Sequence, residues 1–337
     1  MLFHTMTPTP RGYDFSEEFA DPDNMYTEND VYRALLANGY EVRLLGLFND
    51  IRPLLEEIDE FRPDVVFNLV EVFANQTHLE KNVAALLEMI GIPYTGARAD
   101  TLFICNNKAL SKRILRFHRL RVPRFQVFYR RYRIWRPKTI KLPAIIKPLC
   151  EEASRGISQA SVVDNDESFV DRIRFIHTNM NMDAIAEEYV EGRELYVGVM
   201  GIRRLLVLPP REMKFGQLPE EEPRIATYKA KWDDQYRERW NIRSEFAGKL
   251  ANGVWNQIQE TCKRAYRALN VRSYLRFDIR VTPDNRVTII EPNANPCIAR
   301  IDEFAQSAEK IGLGYDCLIQ RIVLMALKDG EAGRSEK

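Results

Sequence analysis

Two polar segments near the C-terminal end of the chain have the spacing of a metal site. Arg276-Phe277-Asp278 lies on one predicted strand, and Glu291-Pro292-Asn293 follows on the next one after a short turn. Antiparallel strands joined in this way place the two carboxylates and the amide at the same end of one sheet face. Hard oxygen ligands suit magnesium, which usually shares a few carboxylates with substrate phosphates. A hairpin with ordinary solvent-facing acids is the alternative interpretation.

A second candidate site is a lysine that is followed by a loop of small residues. Lys147 ends a short apolar strand, and the loop at 151–158 contains Ser154 and Gly156. An ammonium group and several backbone N–H groups in such a place can bind a phosphate. Because loops with one glycine are common, this pattern alone has little specificity.

A third candidate is the acidic end of the strand that begins near residue 184. The run Glu187-Glu188-Tyr189-Val190 leads through Gly192 to Glu194. Its backbone groups could meet an adenine edge, and a carboxylate could bind ribose hydroxyls. An edge strand with an ordinary turn would look the same.

Composition excludes several classes of protein. The 337 residues suit two or three modules, and 49 Lys and Arg against 48 Asp and Glu give a formal charge of +1. That balance gives no reason to expect a nucleic acid or an anionic membrane as partner. Five scattered cysteines without a C-x-x-C pair indicate reduced thiols rather than a disulfide framework. No signal peptide or long apolar span is present, so a cytoplasmic protein with small-molecule partners is expected.

The basic run at 129–141 is the exception to this even charge. Its arginines and lysines alternate with aromatic residues, which is also seen in phosphate-binding and nucleic-acid-binding patches. The favoured interpretation is a solvated connection with Trp135 packed underneath, and the run is given no function.

The elements around these candidates indicate an α/β protein. Up to about residue 100, strands and helices alternate as in a doubly wound parallel sheet. Further on, the polar stretch 209–236 is a candidate lid, a last helix is predicted over 317–327, and the end of the chain is expected to fray. The apolar start at Met1 indicates either a short first strand or a chain that begins upstream.

Taken together, the segments resemble the ATP-grasp superfamily, and within it the D-alanine:D-alanine ligase branch. The resemblance covers nearly the whole chain, and the order of the segments is far more specific than any one of them. In chain order they are Gly91-Ile92-Pro93-Tyr94-Thr95-Gly96, Asn106-Asn107-Lys108, Lys147 with Ser154-x-Gly156, Glu187 to Glu194, Tyr228-x-x-Lys231-Trp232, Arg276-x-Asp278 and Glu291-x-Asn293.

The resemblance implies a three-domain ATP-grasp fold. An N-terminal doubly wound parallel-sheet domain would precede two α+β domains that sandwich ATP. The implied segments are 1–104 for the first domain, 105–190 for the central lid domain, 191–330 for the catalytic domain and 331–337 for a tail. Many relatives dimerise, so a homodimer is an open possibility.

The resemblance also implies a role for each matched residue. Lys108 and Lys147 would hold the ATP phosphates under the 151–158 loop, with Ser154 and Gly156. Adenine would be bound by Glu187, Glu188, Tyr189 and Val190, and the ribose by Glu194. Lys231 would reach the terminal phosphate, and two magnesium ions, or manganese in their place, would be held by Asp278, Glu291 and Asn293. Arg276 would stabilise the charge that develops in the transition state.

The substrate half departs from the branch. The segment 68–73 replaces a His-Gly segment, and Glu152 and Ala153 stand where those ligases have Gly and Ser. After Asn293 the chain reads Ala294-Asn295-Pro296-Cys297-Ile298, where those ligases have a glycine that helps to bind the oxyanion. Arg280, on the same strand face as Asp278, is interpreted either as the partner of a second substrate carboxylate or as a surface arginine paired with an acid. Asn295 is a further candidate for substrate contact.

These expectations define an ATP-dependent carboxylate–amine ligase that works through an acyl phosphate, with amino-acid-like substrates other than two D-alanines. D-alanine:D-alanine ligation itself, a phosphotransferase or carboxylase of the same fold, and a non-catalytic nucleotide-binding scaffold are the alternatives. The full set of lysines, the arginine and the metal ligands argues against the scaffold, since binding alone would not need them.

Overall fold

The structure, a computed structural model, describes residues 1–10, 12–21, 26–151, 153–219 and 221–335, with the backbone alone for 332–335. The departure at Glu152 lies outside these residues. Three sheets organise the described chain, and each is formed by one continuous stretch of sequence. Among the described residues, no helix has the length and apolarity that crossing a membrane requires.

The first sheet is parallel and has its first strand in the middle. Its elements, with the helices between them, are β1 (Leu2–His4), α1 (Tyr26–Ala37), β2 (Leu45–Leu47), α2 (Arg52–Phe61), β3 (Asn68–Leu69) and α3 (Glu80–Ile90). The strand order is β2-β1-β3, and Leu2 lies beside both Leu45 and Asn68. Leu47, Val66 and Leu87 form the core below it. The predicted parallel α/β unit is therefore confirmed.

Two helices lead from this sheet to an antiparallel one. The elements are α4 (Ala99–Cys105), α5 (Lys108–Phe117), β4 (Phe125–Phe128), β5 (Ala144–Pro148), β6 (Val162–Val163), α6 (Asp166–Asn179) and β7 (Ala184–Glu188). The strand order is β4-β7-β5-β6. Ala144, Ile146 and Ala186 face α6, so strand alternation turns Lys147 and Glu187 to the opposite face. Two of the predicted site residues, Lys147 and Glu187, therefore lie on the face of this sheet that does not pack against α6.

The third sheet is the largest. Its elements are β8 (Arg193–Met200), β9 (Leu206–Val207), β10 (Arg211–Phe215), α7 (Tyr228–Trp232), α8 (Asp234–Arg239), β11 (Ile242–Phe246), α9 (Val254–Ala268), β12 (Tyr274–Val281), β13 (Val287–Ala294), α10 (Glu303–Glu309) and α11 (Tyr315–Ser335). The order is β11-β10-β8-β12-β13, with β9 paired to β8. Val197, Phe277 and Ile279 pack against α9, which leaves the polar residues of the same strands on the other face.

Three expectations from the pattern need correction. The candidate lid at 209–236 contains β10, which pairs with β8 through backbone groups that hydropathy does not reveal. Trp135 is 58% exposed rather than packed under the basic run. The last helix continues to Ser335, beyond the predicted end at 327, and Asp329 within the added part forms an ion pair with Arg272 at 3.0 Å. The domain boundaries at 104 and 190 stay a prediction.

Candidate functional site

The hairpin of β12 and β13 brings the predicted metal ligands together. Asp278 lies directly opposite Glu291, and Arg276 lies opposite Asn293. Asp278 Oδ1 accepts hydrogen bonds from Arg276 Nε at 2.8 Å and from Asn293 Nδ2 at 2.9 Å. A register shift after Asp278 leaves one extra residue, Ile290, in β13. The bulge exposes a backbone carbonyl next to the two carboxylates.

Lysines from the helix α5 approach this hairpin from one side. Lys108 Nζ lies 2.6 Å from Glu291 Oε1, and Lys112 Nζ donates to the carbonyl of Ile290 at 2.7 Å. The Asn107 side chain caps the helix by accepting hydrogen bonds from two backbone N–H groups, which fixes the first turn of the helix that carries these lysines. Burial alone would raise the pKa of Glu291, but the lysines around it lower that pKa to about 2. Glu291 is therefore an anion at neutral pH.

A second acid is enclosed by lysines in the central sheet. Glu187 is 1% exposed, with Lys112 Nζ at 2.8 Å from one carboxylate oxygen and Lys147 Nζ at 3.2 Å from the other. Burial acts to raise the pKa of Glu187, but the two lysines outweigh it and the net shift is downward. Burial lowers the pKa of Lys112, and Glu187 opposes that shift. The triad places two cations and one anion at the floor of a cavity.

Lys112 is a site residue that the sequence did not reveal. It follows Lys108 by one helical turn and so lies on the same face of α5. Lysines are almost never fully buried unless they are paired, and the partner Glu187 is distant in sequence. The one available signal was the repeat of lysine at helical spacing ahead of a buried acidic strand.

One cavity joins most of the predicted nucleotide residues. It lies between the central sheet and the third sheet, and it is lined by both charged and apolar side chains, as small-molecule sites are. The predicted site residues in its lining are Lys147, Ser154, Glu187, Glu188, Tyr189, Val190, Glu194, Lys231, Asp278, Arg280 and Glu291. Lys108, Arg276 and Asn293 adjoin it through their contacts with Glu291 and Asp278.

The loop at 151–158 is joined to the segment around α7 that covers the cavity. Ser154 Oγ donates to the carbonyl of Ala226 at 2.8 Å, and Trp232 Nε1 donates to the carbonyl of Ala153 at 3.0 Å. Gly156 has a φ of +73° beside the side chain of Met180, so this turn favours glycine. The loop is thus held in a closed position over the lysines.

Lys231 and Arg276 supply cations from two other directions. Lys231 Nζ lies 3.8 Å from Asp278 Oδ2, and both cations stand over the ring of Tyr196, at 5.5 Å and 5.0 Å from its centre. Burial would lower the pKa of Arg276, but Asp278 and Glu303 raise it above its ordinary value. Arg276 therefore keeps its charge in a position next to the hairpin acids.

Arg280 lines the cavity and is paired there with an acid. Its Nη2 lies 2.5 Å from Glu194 Oε2, and its Nη1 donates to the carbonyl of Val190 at 3.1 Å. Only 4% of Arg280 is exposed. The alternative of an arginine paired with an acid fits this geometry, except that the pair is buried and not on the surface. The interpretation as a substrate-carboxylate partner is not favoured by these contacts.

Asn295 belongs to a second and smaller cavity. Its Oδ1 accepts from the backbone of Ala97 at 2.7 Å, and its Nδ2 donates to Glu80 at 3.1 Å. The side chain thus ties the loop after β13 to the first third of the chain. The neighbouring Cys297 thiol has its pKa raised to about 12, by burial and then by Asp302, so it is a poor nucleophile.

The donor atoms at the hairpin fit a hard divalent cation. Within the described ranges, no group of three or more His, Cys, Asp or Glu side chains could hold a metal by itself. Asp278 and Glu291 nevertheless offer carboxylate oxygens side by side, and Asn293 adds an amide oxygen because its nitrogen already points to Asp278. An all-oxygen set beside several lysines suits magnesium shared with phosphates.

Comparison with known proteins finds relatives over most of the chain. The uncharacterized protein y4sG of Sinorhizobium fredii is 26% identical over 324 residues, covering 93% of this chain and 92% of that protein. The D-alanine–D-alanine ligase of Bordetella petrii is 27% identical, covering 87% and 84% of the two chains.

Solved structures give the same fold. The D-alanine–D-alanine ligase from Bacillus anthracis complexed with ATP superposes with a TM-score of 0.73 at 18% identity, over 98% of this chain and 99% of that one. The ligase from Coxiella burnetii gives 0.67 at 16% identity, over 99% and 95%. The family model of the D-ala D-ala ligase C-terminus matches residues 119–324. Because that match spans more than half of the sequence, the chain belongs to the D-ala D-ala ligase family and has its ATP-grasp fold.

Proposed function

We propose that this protein is an ATP-dependent ligase that joins a carboxylate to an amine through an acyl phosphate. The observation that carries the proposal is the convergence of Lys108, Lys231 and Arg276 on the hairpin acids, beside a cavity that Lys147 also lines. Phosphoryl transfer depends mainly on positioning and on cations that neutralise the phosphate oxygens. The printed names of the relatives from Bordetella petrii and Bacillus anthracis describe ligases.

The cavity divides into a phosphate end and a base end. Lys108 and Lys147 would bind phosphates beneath the 151–158 loop, and Lys231 would reach the terminal phosphate. At the other end, the backbone of 188–190 would meet adenine, with Glu187 at its amino group and Glu194 at the ribose. The support is that all of these residues except Lys108 line one space, and Lys108 adjoins it through Glu291.

Two magnesium ions, or manganese in their place, are proposed at the hairpin. Asp278, Glu291 and Asn293 would hold them, and the bound metal would neutralise charge on the transferring phosphate. The protein's own contribution is to keep these oxygens side by side on paired strands. Lys108, which now contacts Glu291, would remain close enough to share the phosphate charge.

Arg276 is the proposed catalytic residue. It is a permanent cation next to the hairpin, and it would stabilise the charge on the acceptor carboxylate as phosphate arrives and again as the amine attacks. An acyl phosphate hydrolyses in water, so the closed loop contacts at Ser154 and Trp232 would protect it. The mechanism needs no covalent nucleophile from the protein.

The substrates are proposed to be amino-acid-like but not two D-alanines. Glu71 and Cys297 line the second cavity, in the segments that depart from the D-alanine ligase branch. D-alanine:D-alanine ligation remains the second candidate because the relatives from Bordetella petrii and Bacillus anthracis bear that name.

Phosphate release from ATP and magnesium tests the proposal. The full chain is offered amino acids singly and in pairs, and the products are identified by mass spectrometry. A productive pair should give ADP, phosphate and a condensed product, and Arg276→Ala should abolish it while Arg286→Ala, an exposed arginine of the same hairpin, should not. Tight ATP binding without turnover for any pair would contradict the ligase proposal and favour a nucleotide-binding protein.

A further inference from the structure

The second cavity has a polar wall that the ATP site does not use. It lies where β3 of the first sheet meets the loop after β13. Because that loop continues directly from Asn293, the cavity adjoins the end of the hairpin that carries the proposed metal ligands. Its polar lining includes Thr27, Asn68, Glu71 and Cys297.

Asn68 is the residue that points most directly to a ligand. It is 3% exposed, its backbone N–H donates to Thr95, and its Oδ1 accepts from the backbone of Val70 at 3.2 Å. Its Nδ2 has no hydrogen-bond partner within the part of the chain that the structure describes. A buried donor without a partner is costly, so this amide is suited to an oxygen acceptor that a ligand brings.

Two further carboxylates lie near the one that lines this cavity. Glu71 is in the lining, Glu28 and Asp302 are close enough to act on or be acted on by its charge, and Asp302 is hydrogen-bonded to the lining Cys297. No ion pair between described residues involves any of the three, in contrast to the paired acids of the ATP cavity. Enclosure by the protein raises the pKa of each, and the charge of Glu71 raises that of Glu28 further.

The cations near these acids do not balance them. Arg155 of the 151–158 loop acts on Glu71, and Arg276 acts on Asp302, but Arg276 is already paired with Asp278 at 2.8 Å. His4 faces Glu28 from β1. The three carboxyl groups therefore outnumber the cations that face them, and a cationic ligand would favour their ionised form by offsetting both the repulsion and the burial cost.

We propose that this cavity binds a diamino acid, that is, an amino acid with a second, side-chain ammonium group. The donor Nδ2 of Asn68 would bind an oxygen of the substrate, and Glu71, with Glu28 and Asp302 beside it, would surround the cationic groups. This inference rests on the proposed ligase function, since the cavity would deliver the substrate to the hairpin. A neutral or acidic amino acid would leave these carboxyl groups uncompensated.

Lysine and norleucine are a matched pair of probes because they differ by the side-chain ammonium. Both enantiomers of each are compared on the full chain by kcat/KM for ADP release, and by thermal shift in the presence of ADP and magnesium. Lysine should be preferred about tenfold or more, the effect of one charged hydrogen bond. Glu71→Gln should remove most of that preference, whereas the exposed Glu41→Gln should leave it unchanged.

The outcomes separate this inference from the ligase proposal. Equal use of lysine and norleucine, a preference for glutamate, or a lysine preference that survives Glu71→Gln would overturn the diamino-acid inference while ligation stands. A thermal shift with lysine but not norleucine, lost in Glu71→Gln and without any turnover, would support the cavity and count against the ligase. No lysine effect in either assay would overturn the inference.

Discussion

Arg280 offers the sharpest test of how the nucleotide end of the cavity is built. Its guanidinium contacts Glu194 at 2.5 Å and the carbonyl of Val190 at 3.1 Å, and it lies 5.4 Å from the ring centre of Tyr189. It therefore joins the proposed ribose acid to the proposed adenine strand. We expect Arg280 to be a positioning residue for ATP and not a contact for the second substrate.

Replacement of Arg280 by methionine keeps most of the side-chain length but removes every donor. Glu194 would keep only the Tyr196 hydroxyl, at 3.0 Å, as a side-chain hydrogen-bond donor. Removal of one partner of a buried ion pair costs about 3–5 kcal/mol. We expect most of that cost to appear as lower stability. The loss of a fixed Glu194 should weaken ATP binding about tenfold, which corresponds to about 1.4 kcal/mol.

Calorimetric titration with ATP and magnesium measures the binding, and thermal unfolding measures the stability. Arg286→Met is the matched control, because Arg286 lies on the same hairpin in an exposed ion pair with Asp284. Such an exposed pair contributes about 0–1 kcal/mol to the free energy of unfolding. The reasoning fails if Arg280→Met binds ATP normally and raises only the KM of a carboxylic acid. That result would restore the interpretation of Arg280 as a substrate contact.

Three further changes test other parts of the site. Glu187→Gln should lower stability by about 3–5 kcal/mol at pH 7, as judged by denaturant unfolding. Burial acts to raise the pKa of Glu187, but Lys112 and Lys147 lower it below the value in the unfolded chain. The stability that ionised Glu187 contributes is therefore present above the unfolded carboxyl pKa and is lost as the pH falls through the lower folded pKa. The Gln variant lacks this contribution and should lose less stability on acidification than the original chain. Trp232→Phe removes the donor to Ala153 and should raise phosphate release relative to condensed product at least severalfold, whereas unchanged coupling would argue against the loop as a water barrier. Gly192→Ala would bring a Cβ within 2.2 Å of the carbonyl of Val281 and should destabilise the fold by more than about 2 kcal/mol, as measured by thermal unfolding.

The hairpin was predictable because its information is local. Alternation and a short turn determine which side chains share a face, and Asp278 and Glu291 are indeed opposite each other. The extra residue at Ile290 was not predictable from that pattern, since a bulge follows from how the partner strand and α5 pack. The strand β10 was also missed, because Arg211–Phe215 has little apolar character and is specified by its backbone pairing with β8.

The buried charges were harder to predict because each depends on a distant partner. Arg280 was placed on the correct strand face, but its partner Glu194 lies on β8, and only the pairing of β8 with β12 makes them neighbours. Lys112 presented the same difficulty, since its position on α5 predicts an ordinary solvent-facing lysine until the helix is packed on the hairpin. Sequence spacing therefore predicts which side chains share one face of a helix or strand, but it does not predict which other element packs against that face.

The ion pairs of the ATP cavity also explain how so many charges can be buried there at all. Lys108 pairs with Glu291, Arg276 with Asp278, and Arg280 with Glu194, so each acid proposed to bind a metal or a ribose already has a cation beside it. Unpaired, these groups would carry a large desolvation cost. With ATP and magnesium, Lys108 would turn from Glu291 to a phosphate as the carboxylate takes the metal, so each charge would exchange one opposite charge for another. Among the residues that the structure describes, Glu71 of the second cavity has no such ion pair, and that difference is why its compensating charge is expected from the substrate.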